Sequence, residues 1–302
     1  KSVDVRVSSL PSSYGERIVL RILDKQAAQI NIDDLGLPSK ILANYKTSLK
    51  NPEGIILFTG PTGSGKTTTL YAGLRYLSDS SQNILTVEDP IEYTLNGIGQ
   101  TQVNNKTGYT FAKGLRAILR QDPDIVMVGE MRDIETAQIG IQSSLTGHLV
   151  LSTVHTNSAV AAITRLRDMG IESFLLASSL RTIISQRLVR RLCPHCKTKD
   201  KPSIKSVDIF GLDKNKSVYS AKGCDECNHT GYQGRIAIAE CIQIDKTLKD
   251  FIHNNASENE ISEYVFKDNQ SIDQASVDLI TSGVTSCEEI IRINNIQEDA
   301  SI

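Results

Sequence analysis

Ile55-Ile-Leu-Phe58-Thr59-Gly60-Pro61-Thr62-Gly63-Ser64-Gly65-Lys66-Thr67 is the stretch on which the fold turns. An apolar run of strand length, Ile55 to Phe58, leads into Gly60-x-x-x-x-Gly65-Lys66-Thr67, and Leu70, Leu74 and Leu77 then mark one face of a helix. Strand, glycine-rich turn and helix form the context in which this motif binds phosphate. Its glycines let consecutive backbone N–H groups turn inward, and the helix adds its positive N-terminal end. Lys66 is expected to neutralise the β- and γ-phosphates of a nucleotide, and Thr67 to hold Mg²⁺ through its hydroxyl. The expected nucleotide-binding set is Gly60, Pro61, Thr62, Gly63, Ser64, Gly65, Lys66, Thr67 and Thr68.

Outward from this loop, between about Leu35 and Leu192, short apolar strands alternate with helical segments. The predicted strands are Ile55–Phe58, Ile84–Val87, Ile125–Val128 and Leu149–Val154; Ile134, Ala137, Ile141 and Leu145 mark a further helix. Continuous apolar runs imply burial on both faces, hence a parallel sheet sandwiched by helices in an α/β domain. Such sheets bind ligands at the carboxyl ends of their strands. That rule points to Glu130 after Ile125–Val128, as the group that positions or polarises a nucleophilic water. Gly129 precedes it where an Mg²⁺-holding Asp is common, leaving the metal to Thr67 and waters. The same edge carries Glu88-Asp89-Pro90, Glu92 and His155; a γ-phosphate sensor and a structural histidine are equal readings of His155, and His148 is the weaker candidate.

With 302 residues, two domains are expected. Apolar runs such as Ile55–Phe58 hold four residues, against about 20 for a membrane helix. Net charge is 33 minus 35, or −2, which gives no overall basic surface for sequence-blind nucleic-acid binding. The first residue is Lys1 and the alternating Val3, Val5 and Val7 follow at once, so the chain is read as starting inside a domain, upstream residues missing. Residues 1–25 read as two strands, too few for a stable unit.

Six cysteines include two Cys-x-x-Cys pairs, Cys193/Cys196 and Cys224/Cys227, separated by 27 residues. This spacing suits a closed tetrathiolate Zn²⁺ site, and four thiolates leave no position for water, making the metal structural. A redox Cys-x-x-Cys is the competing reading; two pairs bracketing a Lys-rich insert favour metal. His195 and His229 are near enough to substitute as ligands, and Cys241 and Cys287 read as small core residues. The expected organisation is 1–25, 35–192, a cysteine module over 193–235 and a mainly helical 236–302. Ser257-x-x-Glu260 and Ser286-x-x-Glu289 both fit capping boxes.

Four segments in order, Gly60–Thr67, Leu85–Tyr93, Arg120–Asp133 and Thr146–Asn157, resemble the Walker A, Asp-box, Walker B and His-box of the secretion-superfamily traffic ATPases. The resemblance extends over essentially the whole chain, strongest to the type II secretion branch and next to the type IV pilus assembly branch. In that family a glycine in place of the Walker B aspartate is normal. The resemblance implies a RecA-like P-loop NTPase domain preceded by the end of a PAS-like lobe (residues 1–25), with an inserted tetracysteine zinc module and a C-terminal helical subdomain. It also implies a homo-hexamer that uses ATP, Mg²⁺ and Zn²⁺ and lies in the cytoplasm, peripheral on the bacterial inner membrane. Implied partners are an inner-membrane platform protein and the cytoplasmic domain of a membrane anchor, with no nucleic acid. Arginines matching phosphate-reaching positions of the family are Arg6, Arg21, Arg116 and Arg120; a surface salt bridge is the alternative role for each. The implied catalytic set is Glu130, Lys66, Glu92, His155, Arg21 and Arg120. The rival functions are a RecA-like nucleic-acid translocase and a zinc-dependent nucleotide switch. Absence of Trp and the presence of only 9 Tyr and 6 Phe speak against base-stacking platforms.

Overall fold

A computed structural model describes residues 4–23, 30–78 and 81–294. Val3, residues 24–25 and the tail from 295, all part of the expected domains, lie outside the described residues. The elements run β1 (Asp4–Ser12), β2 (Gly15–Leu23), α1 (Ser39–Leu49), β3 (Gly54–Thr59), α2 (Lys66–Leu77), β4 (Ile84–Glu88), β5 (Gly99–Gln102) and α3 (Phe111–Ile118). β6 (Ile125–Val128), α4 (Ile134–Leu145), β7 (Leu149–Val154), α5 (Ala159–Asp168), α6 (Ser173–Ser179) and β8 (Leu180–Leu192) follow. The remainder is β9 (Thr198–Asp200), α7 (Ile204–Phe210), β10 (Val218–Ser220), β11 (Tyr232–Gln243), α8 (Lys246–His253), α9 (Glu258–Val265), α10 (Ile272–Thr281) and α11 (Cys287–Asn294).

The main sheet has the order β11-β8-β3-β7-β6-β4-β5, parallel throughout except for β11 against β8. The four strands expected from sequence are its centre, β3-β7-β6-β4. Alternation distributes β3 between two layers: Ile55 and Leu57 pack with α4, α5 and α6, while Ile56 and Phe58 pack with Tyr45 of α1 and Leu70 and Leu74 of α2. Every residue of β3, β6 and β7 is buried, which explains their uninterrupted apolar character. The stripe expected on α4 is half right: Ala137 and Ile141 are buried, but Ile134 and Leu145 are exposed, and small residues such as Gly140 and Ser144 complete the packed face.

Beyond the centre, β8 extends the sheet with a strand not expected within 35–192, and β11 departs from the mainly helical reading after Ile236. They pair antiparallel from Thr182↔Gln243 to Leu192↔Tyr232, with an irregularity between Tyr232 and Arg235. The cysteine segment is therefore an excursion between two neighbouring strands of the main sheet, carrying the small β9–β10 pair and α7. β11 is buried on both faces from Ala237 to Ile242, so the period that separates strand from helix is missing from its sequence.

The Ser257–Glu260 capping box forms, with the Ser257 N–H donating to Glu260 at 2.7 Å and the Glu260 N–H to Ser257 Oγ at 3.3 Å. The second box forms by half. The Glu289 N–H reaches Ser286 Oγ, but its carboxylate turns to Arg190 and Arg292, each 2.7 Å away in charge-assisted pairs stronger than a return bond to Ser286. The first two strands form a hairpin with exposed apolar residues, among them Val7, Leu20 and Ile22.

Candidate functional site

The phosphate loop leaves β3 and enters α2 through residues that only glycine fits. At Gly60 φ is +139° and an added Cβ would lie 2.2 Å from the Gln186 carbonyl oxygen. At Gly65 φ is +90° and a Cβ would lie 2.8 Å from Gln186 Nε2. The left-handed φ strains any side chain at both positions, and at Gly60 the backbone contact excludes one outright. Gln186, buried on β8, also accepts a hydrogen bond from Thr69 Oγ1 at 2.9 Å, so it supports the loop from beneath. Sequence reading missed Gln186 because its role is one of proximity across 121 to 126 residues of chain.

Above the loop lies a cleft of about 820 Å³. Its lining includes Thr62 to Thr68, Glu92, Glu130, His155 and Arg21, together with Asp89, Arg132, Gln186 and Arg235. Gly60 and Pro61 lie behind it, their carbonyls accepting from Lys66 Nζ at 2.7 and 3.0 Å. Lys66 is buried; burial pushes its ammonium down to about 8, with the Glu130 carboxylate opposing the shift. Thr67 is exposed to the cleft at the start of α2.

Glu130 follows β6 and is buried at the cleft wall. Its Oε1 pairs with Arg132 at 2.5 Å, while Oε2 lies 3.4 Å from His155 Nε2 and has no hydrogen-bond partner among the described residues. A buried carboxylate oxygen with vacant lone pairs is an acceptor available to a water proton. Arg132 lies within the Walker B-like segment, where its sequence context carries no signal for this pairing.

The remaining acids separate. Glu88 is buried and fully engaged: it accepts from Tyr71 Oη, from Thr86 Oγ1 at 2.6 Å and from Gln100 Nε2 at 3.0 Å. Burial and the Glu88 carboxylate both raise the Tyr71 pKa. Glu92 is half-exposed and paired with Arg6 of the hairpin at 3.0 Å. His148 is held by the Ser143 carbonyl, 2.9 Å from Nδ1, outside the cleft lining. Arg116 pairs with Glu135 at 2.6 Å, and neither Arg116 nor Arg120, both exposed, lines the cleft.

The four cysteine sulfurs converge within 4.8 Å of one another. Cys193–Cys224 is 3.9 Å, and Cys196–Cys227 and Cys224–Cys227 are 3.8 Å. A tetrahedron with Zn–S bonds of about 2.3 Å has edges of about 3.8 Å, so the sulfurs fit that ion. Burial raises the Cys227 thiol, but N–H groups of Cys224 and Gly231 outweigh it and bring it down to about 6, favouring thiolate. His229 instead lies 3.1 Å from Asp225, and His195 is exposed; neither belongs to the sulfur group. Cys241 and Cys287 are buried, and burial pushes the Cys241 thiol up to about 12.

A parallel sheet carrying a glycine loop, a buried lysine and strand-end acids defines a RecA-like phosphate-loop nucleotide-binding fold. The chain belongs to the Type II/IV secretion system protein family, which it matches over residues 1–292. It is 54% identical over 97% of its length to the type II secretion system ATPase E of Vibrio cholerae, and 54% identical over 97% to the type II secretion system protein E of Pseudomonas aeruginosa. It spans 59% of the length of each. Among solved structures, the pilus retraction motor PilT with bound ADP is similar at TM-score 0.72 and 28% identity, covering 98% of this chain and 74% of that one. The Legionella pneumophila ATPase DotB shares the fold at TM-score 0.68 and 23% identity, covering 98% and 73%.

Proposed function

We propose that the chain is the ATP-hydrolysing part of a type II secretion motor that converts nucleotide turnover into lobe movements driving pseudopilus assembly and protein export. The observation that carries this reading is the facing of buried Lys66 and the unpartnered Glu130 Oε2 in one cleft. Loop N–H groups and Lys66 would grip the triphosphate, leaving the γ-phosphorus exposed toward Glu130. Glu130 Oε2 would accept a proton of the attacking water and orient its lone pair, with Arg132 holding Oε1 and His155 beside it. Mg²⁺, when bound at the Thr67 hydroxyl, supplies charge neutralisation of the phosphates. Glu92 and Arg21 complete the cleft wall. Arg6, Arg116 and Arg120 are assigned to phosphate contacts made on assembly or nucleotide binding.

The four cysteines would hold zinc as a structural cross-link. The assembly is proposed as a homo-hexamer, cytoplasmic and peripheral on the inner membrane, engaging a platform protein and the cytoplasmic domain of a membrane anchor. Among the described residues no helix is long and apolar enough to cross a membrane. The names of the relatives support secretion over pilus assembly, and the net charge of −2 disfavours nucleic-acid translocation.

The test is calorimetric titration of the full-length protein with ATP and magnesium, followed by phosphate release. Micromolar binding with turnover that single-stranded DNA does not stimulate is expected; absence of binding overturns the motor reading.

A further inference from the structure

A further buried carboxylate, outside the cleft lining, has no part in the phosphate chemistry. Glu240 of β11 is 1% exposed. Its Oε1 accepts the backbone N–H of Ala159 at 2.7 Å and its Oε2 that of Ile272 at 2.9 Å, the first residues of α5 and α10. Each helix already has a serine cap, Ser158 and Ser271, on a different N–H. Among the described residues Glu240 forms no ion pair, and burial raises its pKa against the two N–H bonds. A single acid thus satisfies two helix N-termini that belong to distant parts of the chain.

Arg187 makes a parallel connection on the same face of the ribbon, since Ile238 pairs with Arg187 and Glu240 with Ser185. Its guanidinium donates to the Asn157 carbonyl at 3.0 Å and to the Asn294 side-chain oxygen at the end of α11. The loop so held, His155 to Ser158, also reaches the cleft. Thr59 Oγ1, at the end of β3, donates to the Thr156 carbonyl at 2.9 Å and accepts from the Thr156 N–H at 3.1 Å. The same loop places His155 Nε2 3.4 Å from Glu130.

We infer that Glu240, with Arg187, is a positioning residue that couples the His155 loop to α10 and α11, so that a terminal phosphate acting on this loop alters the C-terminal helices. The inference rests on reading the cleft as a nucleotide site. The first N–H groups of α5 and α10 keep one shared acceptor only while both helices stay seated on Glu240, and Arg187 ties Asn294 of α11 to the Asn157 carbonyl of the same loop. The two connections form a contiguous hydrogen-bonded path from the His155 loop to the C-terminal helices, along which coupling can travel.

The experiment is amide hydrogen exchange on the full-length protein, with and without a non-hydrolysable ATP analogue and magnesium. In the parent, the analogue should slow exchange in the phosphate loop, at the start of α5 and at Ile272 to Ser276. In Glu240→Gln, phosphate-loop protection and analogue affinity should stay within about threefold of the parent while the α10 response falls about tenfold. kcat should fall with KM little changed. Asn294→Ala, at the end of α11, should lose the α11 response alone, and it decides the question if Glu240→Gln does not fold. An undiminished helix response in these variants, or a parent whose loop is protected without any change in α10 or α11, overturns the inference. A parent that binds no analogue overturns the nucleotide reading instead.

Discussion

The phosphate cleft and the tetracysteine cluster both announce themselves as short motifs, yet they are built to opposite ends. The cleft retains exposed Thr67, an unpartnered Glu130 oxygen and about 820 Å³ of space. The cluster brings sulfurs to 3.8–3.9 Å, with Cys227 already accepting two N–H groups. An open constellation admits substrate and water; a closed one admits only an ion and holds chain segments together. Chemistry is thereby placed beside the middle of the β8–β11 ribbon, at Gln186 and Leu188, and cross-linking at the end that leads into Cys193.

Lys66 separates the open site from the closed one most strongly. Lys66→Ala removes the cleft's buried ammonium and should weaken ATP binding by roughly 100-fold or more, the equivalent of about 3 kcal/mol, in calorimetry. Glu130→Gln should keep the dissociation constant within about threefold and lower turnover by roughly 100-fold; phosphate release at the parent rate would remove Glu130 from its role. At the closed site, Cys224→Ser or chelation should lower the melting temperature by on the order of 10 °C while leaving ATP affinity within about twofold. Alkylation should find four thiols protected by metal beyond any protected by burial, and a nucleotide affinity that collapses with the metal would unite the two sites.

The pH dependence sharpens the contrast further. In the nucleotide-free cleft Lys66 titrates at about 8, whereas bound phosphates hold it charged. Binding therefore takes up no proton through Lys66 below that pH and takes one up above it. Affinity should fall by up to about tenfold per pH unit above pH 8, with proton uptake read from calorimetry in two buffers of different ionisation enthalpy. The smallest effect belongs to the exposed arginines: Arg116→Ala and Arg120→Ala should change ATP affinity of the unassembled chain by less than about twofold. A larger loss would bring them into the cleft of a single subunit.

The centre of the sheet was legible because its strands are buried on both faces and flush with turn signals. β8 was not, since Arg181, Arg187, Arg190 and Arg191 interrupt the apolar pattern while their heads reach carbonyls, side chains or solvent at the sheet's margin. β11 hid for the reverse reason, being too evenly apolar to reveal a period. In the site, Lys66, Glu130 and His155 follow from their places after strands, a rule that sequence carries. Gln186 and Arg132 do not: one is defined by closeness to Gly60 and Gly65, the other by an ion pair two residues away that competes with many surface roles. Glu289 illustrates the same limit, because a local capping signal yields to Arg190, which lies 99 positions back.

The ribbon also fixes a distance inside the molecule. Gln186, beneath the phosphates' seat, and Cys193 are joined by a single strand whose rise of about 3.3 Å per residue sets them roughly 23 Å apart. Backbone pairing with β11 stiffens that span. Spectroscopic labels placed along it should report one unvarying separation, so the ribbon serves as an internal ruler against which the travel of every surrounding helix can be gauged.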